Sequence, residues 1–314
     1  MLEPSETPVL IENNFGFFKQ HVSKYKLIDW TPDTLAEVLD ANPGVRAIIT
    51  AGEKPLPQLV EELPSLGLVA LMGAGYEGIQ TERLWARGVE VTHTPGANAN
   101  DVADQAMALF LALIRRVVDN DRRVREGLWV DRTTLLKVPS VRNQRIGIVG
   151  MGAIGKALAR RFTAFGCEIA WYGPRPKPEI EYPRYDTVLD LARETDVLVL
   201  AHRADHSNAG LVSAQVIEAI GPKGYLVNVS RGSAVDEPAL IAALRNSMIA
   251  GAAIDVFEPE PVTDTRWADV PNCVLSPHTG GVGLGAWKDV GAKVCENLDC
   301  FFQGKPLASP IPHD

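Results

Sequence analysis

Arg231, Glu260 and His278 each follow a short apolar run: Tyr225-Leu-Val-Asn-Val229, Ala250-Gly-Ala-Ala-Ile254 and Cys273-Val-Leu275. If those runs are parallel strands, all three residues lie beyond carboxyl ends, where open α/β sheets bind ligands. An arginine can anchor a carboxylate. A histidine beside a carboxylate can deliver a proton. Read singly, each has a plainer meaning. Arg231 could be a surface or ion-paired arginine. Glu260 competes with Glu258, and either could be a solvated loop carboxylate. Most lone histidines are structural, and His21, His93, His202, His206 and His313 are read that way, although His202 falls on a cofactor-side loop.

A second constellation is Gln144-Arg-Ile-Gly-Ile-Val-Gly-Met-Gly-Ala-Ile-Gly155. Ile146, Ile148 and Val149 make a strand. Gly150, Gly152 and Gly155 have G-x-G-x-x-G spacing. Lys156 to Phe165 runs as an amphipathic helix. The first glycine permits a tight turn, the second lets backbone approach a pyrophosphate, and the third lets helix pack on strand. Free N–H groups at the helix start, from Ala153 and Ile154, face the phosphates. The alternative is an ordinary tight βα turn. Strand before and helix after supply the context that favours a dinucleotide site.

These residues need a scaffold. Short strands are predicted at 9–11, 26–28, 45–49, 66–71 and 89–91, with helices near 15–24, 32–41, 55–62 and 79–87. Pro32, after Thr31, and Pro55 suit helix starts. Alternating strands and helices imply a parallel sheet with helices on its faces. After the loop Thr94-Pro-Gly-Ala-Asn98, one long helix is predicted from Asp101 to about Arg125. Val102, Ala106, Leu109, Leu113 and Val117 share one of its faces. A second series starts at Arg145, with strands at 168–172, 196–201, 225–229, 250–254 and 273–275. A helix at 236–244 is capped by Asp236. A βαβ domain ahead of the glycine loop implies that the cofactor domain is inserted into another. The last helix, about 284–303, would return to the first. The predicted division is 1–97 with 284–314 for the substrate domain, and 98–283 for the dinucleotide-binding domain.

The 314 residues, 22% of them charged, suit a soluble two-domain α/β chain. A net charge of -8 argues against nucleic-acid binding. No apolar run reaches bilayer length. The start, Met1-Leu-Glu-Pro-Ser-Glu6, has no signal-peptide pattern. Cys167, Cys273, Cys295 and Cys300 lack C-x-x-C spacing and read as reduced thiols of a cytoplasmic protein without a metal site.

Several motifs, in order, resemble the D-2-hydroxyacid dehydrogenase family over nearly the whole chain. They are Gly73-Ala-Gly75, Pro95-Gly-Ala-Asn98, the helix from Asp101, Gly150-x-Gly-x-x-Gly155, Val229-Ser-Arg-Gly232, Gly251-Ala-Ala-Ile-Asp-Val-Phe257, Glu260-Pro261 and Pro277-His-Thr-Gly280. Gly221-Pro-Lys-Gly-Tyr-Leu-Val-Asn228 and Val235-Asp-Glu-Pro-Ala-Leu240 are similar to the NADPH-linked glyoxylate/hydroxypyruvate and hydroxyphenylpyruvate reductases. The resemblance implies two doubly wound parallel-sheet domains, a Rossmann cofactor domain inserted into a flavodoxin-like substrate domain, with a cleft between them. It implies reduction of glyoxylate or hydroxypyruvate to a D-2-hydroxy acid. The alternatives are reduction of aryl-pyruvates, or a dinucleotide-sensing corepressor-like module on the same fold.

Residue by residue, the resemblance makes His278 the acid and Glu260 the partner that favours its protonated form. Arg231 binds the substrate carboxylate, as do backbone groups around Gly73, Ala74 and Gly75. Asp255 meets the nicotinamide carboxamide, and Val229, Ser230 and Gly280 border the cofactor. It also implies a homodimer through the helix 101–125 and the segment after it. Trp129 falls on the expected arm, and Arg132 is weighed as a neighbour-reaching residue against a plain surface arginine. Met72, Tyr76 and Trp287 are expected to set pocket size.

Two departures from the family pattern stand out. Gly173 replaces the acidic residue expected after the strand 168–172, and Leu200-Ala-His-Arg-Ala-Asp205 replaces a loop rich in proline and threonine. A carboxylate there would repel a 2′-phosphate, and glycine does not. Arg175 and Lys177 follow on a proline-stiffened loop and can grip a phosphate. The expected cofactor is therefore NADPH, with NADH weaker. Two solvated cations are the plain alternative.

Overall fold

The computed structural model describes residues 6–52, 55–129, 138–203 and 206–313. Contacts between Cα atoms divide the chain into two compact units, 1–98 with 282–314 and 99–281. Arg132, the candidate neighbour-reaching residue, lies outside the described residues, as do Ala204 and Asp205.

The first unit holds a five-stranded parallel sheet. Its strands are β1 (Pro8–Glu12), β2 (Lys26–Trp30), β3 (Ala47–Thr50), β4 (Leu68–Leu71) and β5 (Glu90–Thr92). Their order, β2-β1-β3-β4-β5, is the flavodoxin-like one. β3 and β4 are buried at every position, as strands covered on both faces must be. Helices α1 (Leu35–Ala41), α2 (Gln58–Glu61) and α3 (Thr81–Trp85) accompany the sheet. Leu35, Leu39, Val60 and Leu84 pack with Leu10, Ile48 and Val69 in one core layer.

Two helix starts in this unit differ from expectation. α1 begins at Leu35 instead of Pro32, because Thr31 and Thr34 bond each other's backbone (Thr31 N to Thr34 Oγ1 at 2.9 Å) and hold a turn first. α2 begins after Pro57 instead of at Pro55, since a residue before proline is disfavoured in the α region. The piece expected as a helix near 15–24 is a 3-10 segment, Asn13–His21, in keeping with Asn13, Asn14 and Gly16, all poor helix formers.

The second unit holds a seven-stranded parallel sheet in the order β12-β11-β10-β9-β6-β7-β8. These are β6 (Arg145–Val149), β7 (Glu168–Tyr172), β8 (Arg184–Tyr185), β9 (Val197–Leu200), β10 (Tyr225–Asn228), β11 (Gly251–Ile254) and β12 (Cys273–Leu275). Counted from β6, this is the 3-2-1-4-5-6 Rossmann order with one strand added, and the order reverses between β6 and β9. α4 (Ala99–Ile114) and α6 (Ala153–Ala164) cover one face, with Phe110 edge-on to Phe162 at 5.3 Å. α7 (Val188–Glu194), α8 (Ala214–Ile220) and α9 (Glu237–Arg245) cover the other. Asp236 caps α9 by accepting the Ala239 N–H at 3.1 Å. α10 (Leu284–Phe302) belongs to the first unit, where Val290, Val294 and Leu298 meet Val9, Ile11 and Ala70.

The run expected as one helix over 101–125 is two. Arg116 adopts φ 53°, and α5 (Val117–Arg125) starts after it. Val102, Ala106, Leu109 and Leu113 are buried, but Val117 is 53% exposed. The sheet below α4 absorbs the apolar stripe as far as Ile114. Beyond it, Asp119, Asp121, Arg122 and Arg123 keep the chain in water, and α5 buries no residue.

Candidate active site

The glycine loop sits at the switch point between β6 and β9. Gly150 has φ 96°, and its N–H donates to the Tyr172 carbonyl at 2.8 Å. A Cβ on Gly155 would lie 2.0 Å from the Gly150 carbonyl oxygen, so α6 can start here only with glycine at 155. A Cβ on Gly150 would strike the His202 backbone at 2.5 Å, so His202, which departs from the family pattern, borders the glycine turn directly. Gly152 is different: a Cβ there would meet nothing within 4 Å. Gly152 is the N-cap of α6 and no side chain caps it. This is an open cradle at a helix N-terminus, with the N–H groups of Ala153 and Ile154 in the first turn, and it fits a pyrophosphate. The helix starts at Ala153, three residues earlier than the expected Lys156.

Beside the cradle, Lys177 Nζ donates to the Met151 carbonyl at 2.8 Å, within the glycine loop itself. Arg175 is exposed. Gly173 is buried, and its carbonyl accepts Arg184 Nη2 at 3.0 Å. Lys156 pairs with Glu179 at 3.3 Å. The carboxyl of Glu179 lies below its usual range, first through a backbone hydrogen bond and then through Lys156 and Lys177.

Three neighbouring strand ends build the rest. After β10, buried Asn228 shapes a turn: its Oδ1 accepts the Ser230 N–H at 3.0 Å and its Nδ2 donates to the Arg231 carbonyl at 2.9 Å. Arg231 Nη1 donates to the Ser230 carbonyl at 2.8 Å. Gly232 lets this turn touch the loop after β11, since a Cβ there would sit 2.0 Å from the Phe257 carbonyl carbon. In that loop Glu260 Oε1 accepts the Phe257 N–H at 2.8 Å, and Oε2 faces His278 Nδ1 at 2.6 Å. Burial pushes the Glu260 carboxyl up. The hydrogen bonds from His278 and Phe257, with the charges of His278 and Arg231, outweigh it and leave Glu260 below its usual range. Glu258 is exposed, and its carbonyl accepts Arg266 Nη2 at 3.1 Å. The folded loop thus turns Glu260, the glutamate that the resemblance named, toward His278 and leaves Glu258 exposed.

His278 has φ 52°, a left-handed conformation, and its N–H donates to the Asp255 carbonyl at 2.7 Å. Asp255 is buried. Its Oδ2 accepts the Gly280 N–H at 2.8 Å, and its Oδ1 accepts the Thr279 N–H at 3.1 Å together with the Ser276 hydroxyl. A carboxylate offers about four lone-pair sites, so one is left for a ligand amide. Val229 and Ser230 are buried at the β10 end. The sequence reading did not single out Asn228, Ser276 or Gln105. Gln105 on α4 reaches Ser276 Oγ at 3.0 Å, and its signal was a glutamine among Val102, Ala106 and Leu109.

In the first unit, the Gly73–Gly75 loop follows β4. Thr94 N–H donates to the Gly73 carbonyl at 2.9 Å, and His93 Nδ1 lies 3.1 Å from the Ala74 carbonyl. Tyr76 packs edge-on to His93 at 5.8 Å. Met72 is buried behind the loop, and Trp287 packs against Phe17 and Phe18.

An arginine, a glutamate–histidine pair and a phosphate cradle on one rim of one sheet can bind a carboxylate, donate a proton and hold a dinucleotide. The chain is similar to known proteins over most of its length. The model of the D-isomer specific 2-hydroxyacid dehydrogenase NAD binding domain matches residues 107–280. The chain is 37% identical over 284 residues to a glyoxylate/hydroxypyruvate reductase A of Arabidopsis thaliana, covering 90% of each. It is also 37% identical to the hydroxyphenylpyruvate reductase of Plectranthus scutellarioides, covering 81% of each. Its fold superposes with a TM-score of 0.84 and 32% identity on the NADPH-dependent glyoxylate/hydroxypyruvate reductase of Sinorhizobium meliloti in complex with NADP and malonate, over 98% of this chain and 97% of that one. The chain belongs to the D-isomer specific 2-hydroxyacid dehydrogenase family, oxidoreductases with a nicotinamide-dinucleotide-binding domain.

Proposed function

We propose that this enzyme reduces glyoxylate and hydroxypyruvate to D-2-hydroxy acids with NADPH. The observation that carries the reading is the 2.6 Å contact between His278 Nδ1 and Glu260 Oε2, one strand end away from Arg231. A 2-oxo acid needs two things from protein: a cation for its carboxylate and an acid for its carbonyl oxygen. Arg231 supplies the first. Its guanidinium matches a carboxylate with two parallel donors. His278 supplies the second. With Nδ1 turned to Glu260, the ring would protonate the nascent alkoxide through Nε2, while Glu260 stabilises the imidazolium. Backbone N–H groups of Ala74 and Gly75 are assigned to substrate binding on the family resemblance alone.

The bound cofactor supplies hydride. Gly150, Gly152, Ala153 and Ile154 would hold its pyrophosphate, and Arg175 with Lys177 a 2′-phosphate. The remaining acceptor site of Asp255 is assigned to the nicotinamide carboxamide, with Val229, Ser230 and Gly280 around it. The NADP complex of the Sinorhizobium meliloti relative supports the cofactor choice. We further place the enzyme in the cytoplasm as a homodimer. Among the described residues, no helix is long and apolar enough to cross a membrane. Exposed Val117, Val118 and Val124 on α5, followed by Leu128 and Trp129, form an apolar run that a second copy would cover.

A second reading is reduction of aryl-pyruvates, favoured by equal identity to the Plectranthus scutellarioides enzyme. A panel of 2-oxo acids, followed by loss of the reduced-nicotinamide absorbance, decides. Fast turnover of glyoxylate and hydroxypyruvate supports the proposal. Preference for hydroxyphenylpyruvate supports the second reading. Tight NADPH binding without turnover of any 2-oxo acid would sink both and favour a sensing module.

A further inference from the structure

We propose that Gln105 and Ser276 are positioning residues for His278, acting through the carboxylate of Asp255. The inference rests on the assignment of His278 as the acid. A histidine at φ 52° holds a conformation that a side chain disfavours, so the surrounding structure must impose it. Asp255 imposes it from both sides. Its carbonyl accepts the His278 N–H, and its carboxylate gathers Ser276 from before the histidine and Thr279 and Gly280 from after it. A Cβ on Gly280 would lie 2.8 Å from Asp255 Oδ2, so the loop has closed fully onto the acid.

The direction of the Ser276 proton decides whether that clamp is complete. A hydroxyl has one proton and two acceptor lone pairs. If it donates to Asp255, Ser276 must accept from its other neighbour. Gln105 Nε2, at 3.0 Å, is a donor and cannot accept. It therefore turns the hydroxyl proton toward Asp255. The same amide reaches Thr279 Oγ1 at 3.4 Å, so one side chain spans the loop on either side of His278. Gln105 is itself held on a fixed body. α4 is packed on the sheet by Val102, Ala106 and Leu109, and its Asp104 pairs with Arg161 of α6 at 2.7 Å. His278 thus has two supports. Glu260 orients the ring, and α4 orients the backbone through Ser276 and Asp255. Glu260, Arg231 and Asp255 are charged groups on the neighbouring strand ends, with exposed Glu258 in the same loop as Glu260.

Four substitutions separate the terms. Gln105→Met removes the donor at nearly constant shape. Gln105→Glu replaces it with an acceptor, which draws the Ser276 proton away and sets a second negative charge near buried Asp255. Ser276→Ala removes the hydroxyl, and Ser276→Thr restores it. We expect kcat to fall about tenfold to a hundredfold in Gln105→Met and Ser276→Ala, since small misplacements of a reacting group are costly. Gln105→Glu should fall further, and Ser276→Thr should recover most of the loss. Binding of NADPH, measured by fluorescence titration, should stay unchanged in Gln105→Met.

The deciding readout needs no turnover. The imidazole of His278, followed by NMR against pH, should titrate at lower pH in Gln105→Met and Ser276→Ala, because a displaced ring loses part of its contact with Glu260. In a Glu260→Gln background the Gln105→Met shift should disappear, as expected of two groups acting on one ring. An unchanged imidazole titration in both single variants, or equal losses in Gln105→Glu and Gln105→Met, overturns the proposal. If wild type turns over no 2-oxo acid, the functional reading fails, while the imidazole titration still reports whether Gln105 positions His278.

Discussion

Replacing Glu260 with glutamine keeps the shape of the side chain and removes one charge. The contact it breaks is a 2.6 Å charge-assisted hydrogen bond between Oε2 and His278 Nδ1. Such bonds are worth about 1.5–3 kcal/mol. At 1.36 kcal/mol per unit, that is roughly one to two pH units of preference for the imidazolium. The side chains are 27% and 34% exposed, so solvent screens the pair and the lower end applies, about one unit. Geometry adds a second effect. Glu260 Oε1 also accepts the Phe257 N–H at 2.8 Å. A glutamine that keeps this bond turns its NH₂ toward Nδ1, which must then be an acceptor. The variant therefore favours the neutral ring twice over. With His278 as the proposed acid, the reductive direction needs the imidazolium, so activity should fall as pH rises through its titration. The falling limb of kcat/KM, which reports the free enzyme, should move about one unit lower in Glu260→Gln. Glu258→Gln should leave it in place. An unmoved limb in Glu260→Gln, or the same shift in Glu258→Gln, would refute the pairing argument. Folding carries a matching signature. The Glu260 carboxyl is depressed in the folded state, so its stabilisation is present above the unfolded carboxyl range and lost as pH falls through the folded value. Glu260→Gln should be less stable than wild type near neutrality, with the difference closing in acid.

His278→Ala should lose turnover by roughly 10²–10⁴ while NADPH still binds, as judged by fluorescence titration; near wild-type turnover would remove His278 from the mechanism. Arg175→Ala combined with Lys177→Ala should raise the NADPH Michaelis constant by about tenfold or more and spare that of NADH, given about 1.5–3 kcal/mol for each charge-assisted bond. Equal rises for both cofactors would show that the two cations do not read the phosphate. Sedimentation should find a dimer that Val118→Asp with Trp129→Ser weakens, because Trp129 is 86% exposed and follows an α5 with no buried residue. A monomer at every wild-type concentration would end that reading.

Local signals in the sequence were strong wherever chemistry restricts residue type. Two parallel sheets, the glycine loop and the strand-end positions of Arg231 and His278 were legible, because buried parallel strands read as apolar runs and a turn against phosphate admits only glycine. Asp236 was legible as a cap because capping is a contact three residues long. Tertiary structure decided what depends on neighbours distant in sequence. The break at Arg116 is set by where the sheet beneath α4 ends, and helical periodicity carries no record of that. The delayed start of α1 came from two threonines bonding each other before the helix could. The family resemblance named Glu260, but the contact of its carboxylate with His278, with Glu258 left exposed, depends on how a loop with two prolines folds beside the next strand. The bonds that bring Gln105 to Ser276 and Ser276 to Asp255 span 171 and 21 residues. Hydrogen bonds act over about 3 Å, and only the packing of α4 on the sheet brings those side chains within that range.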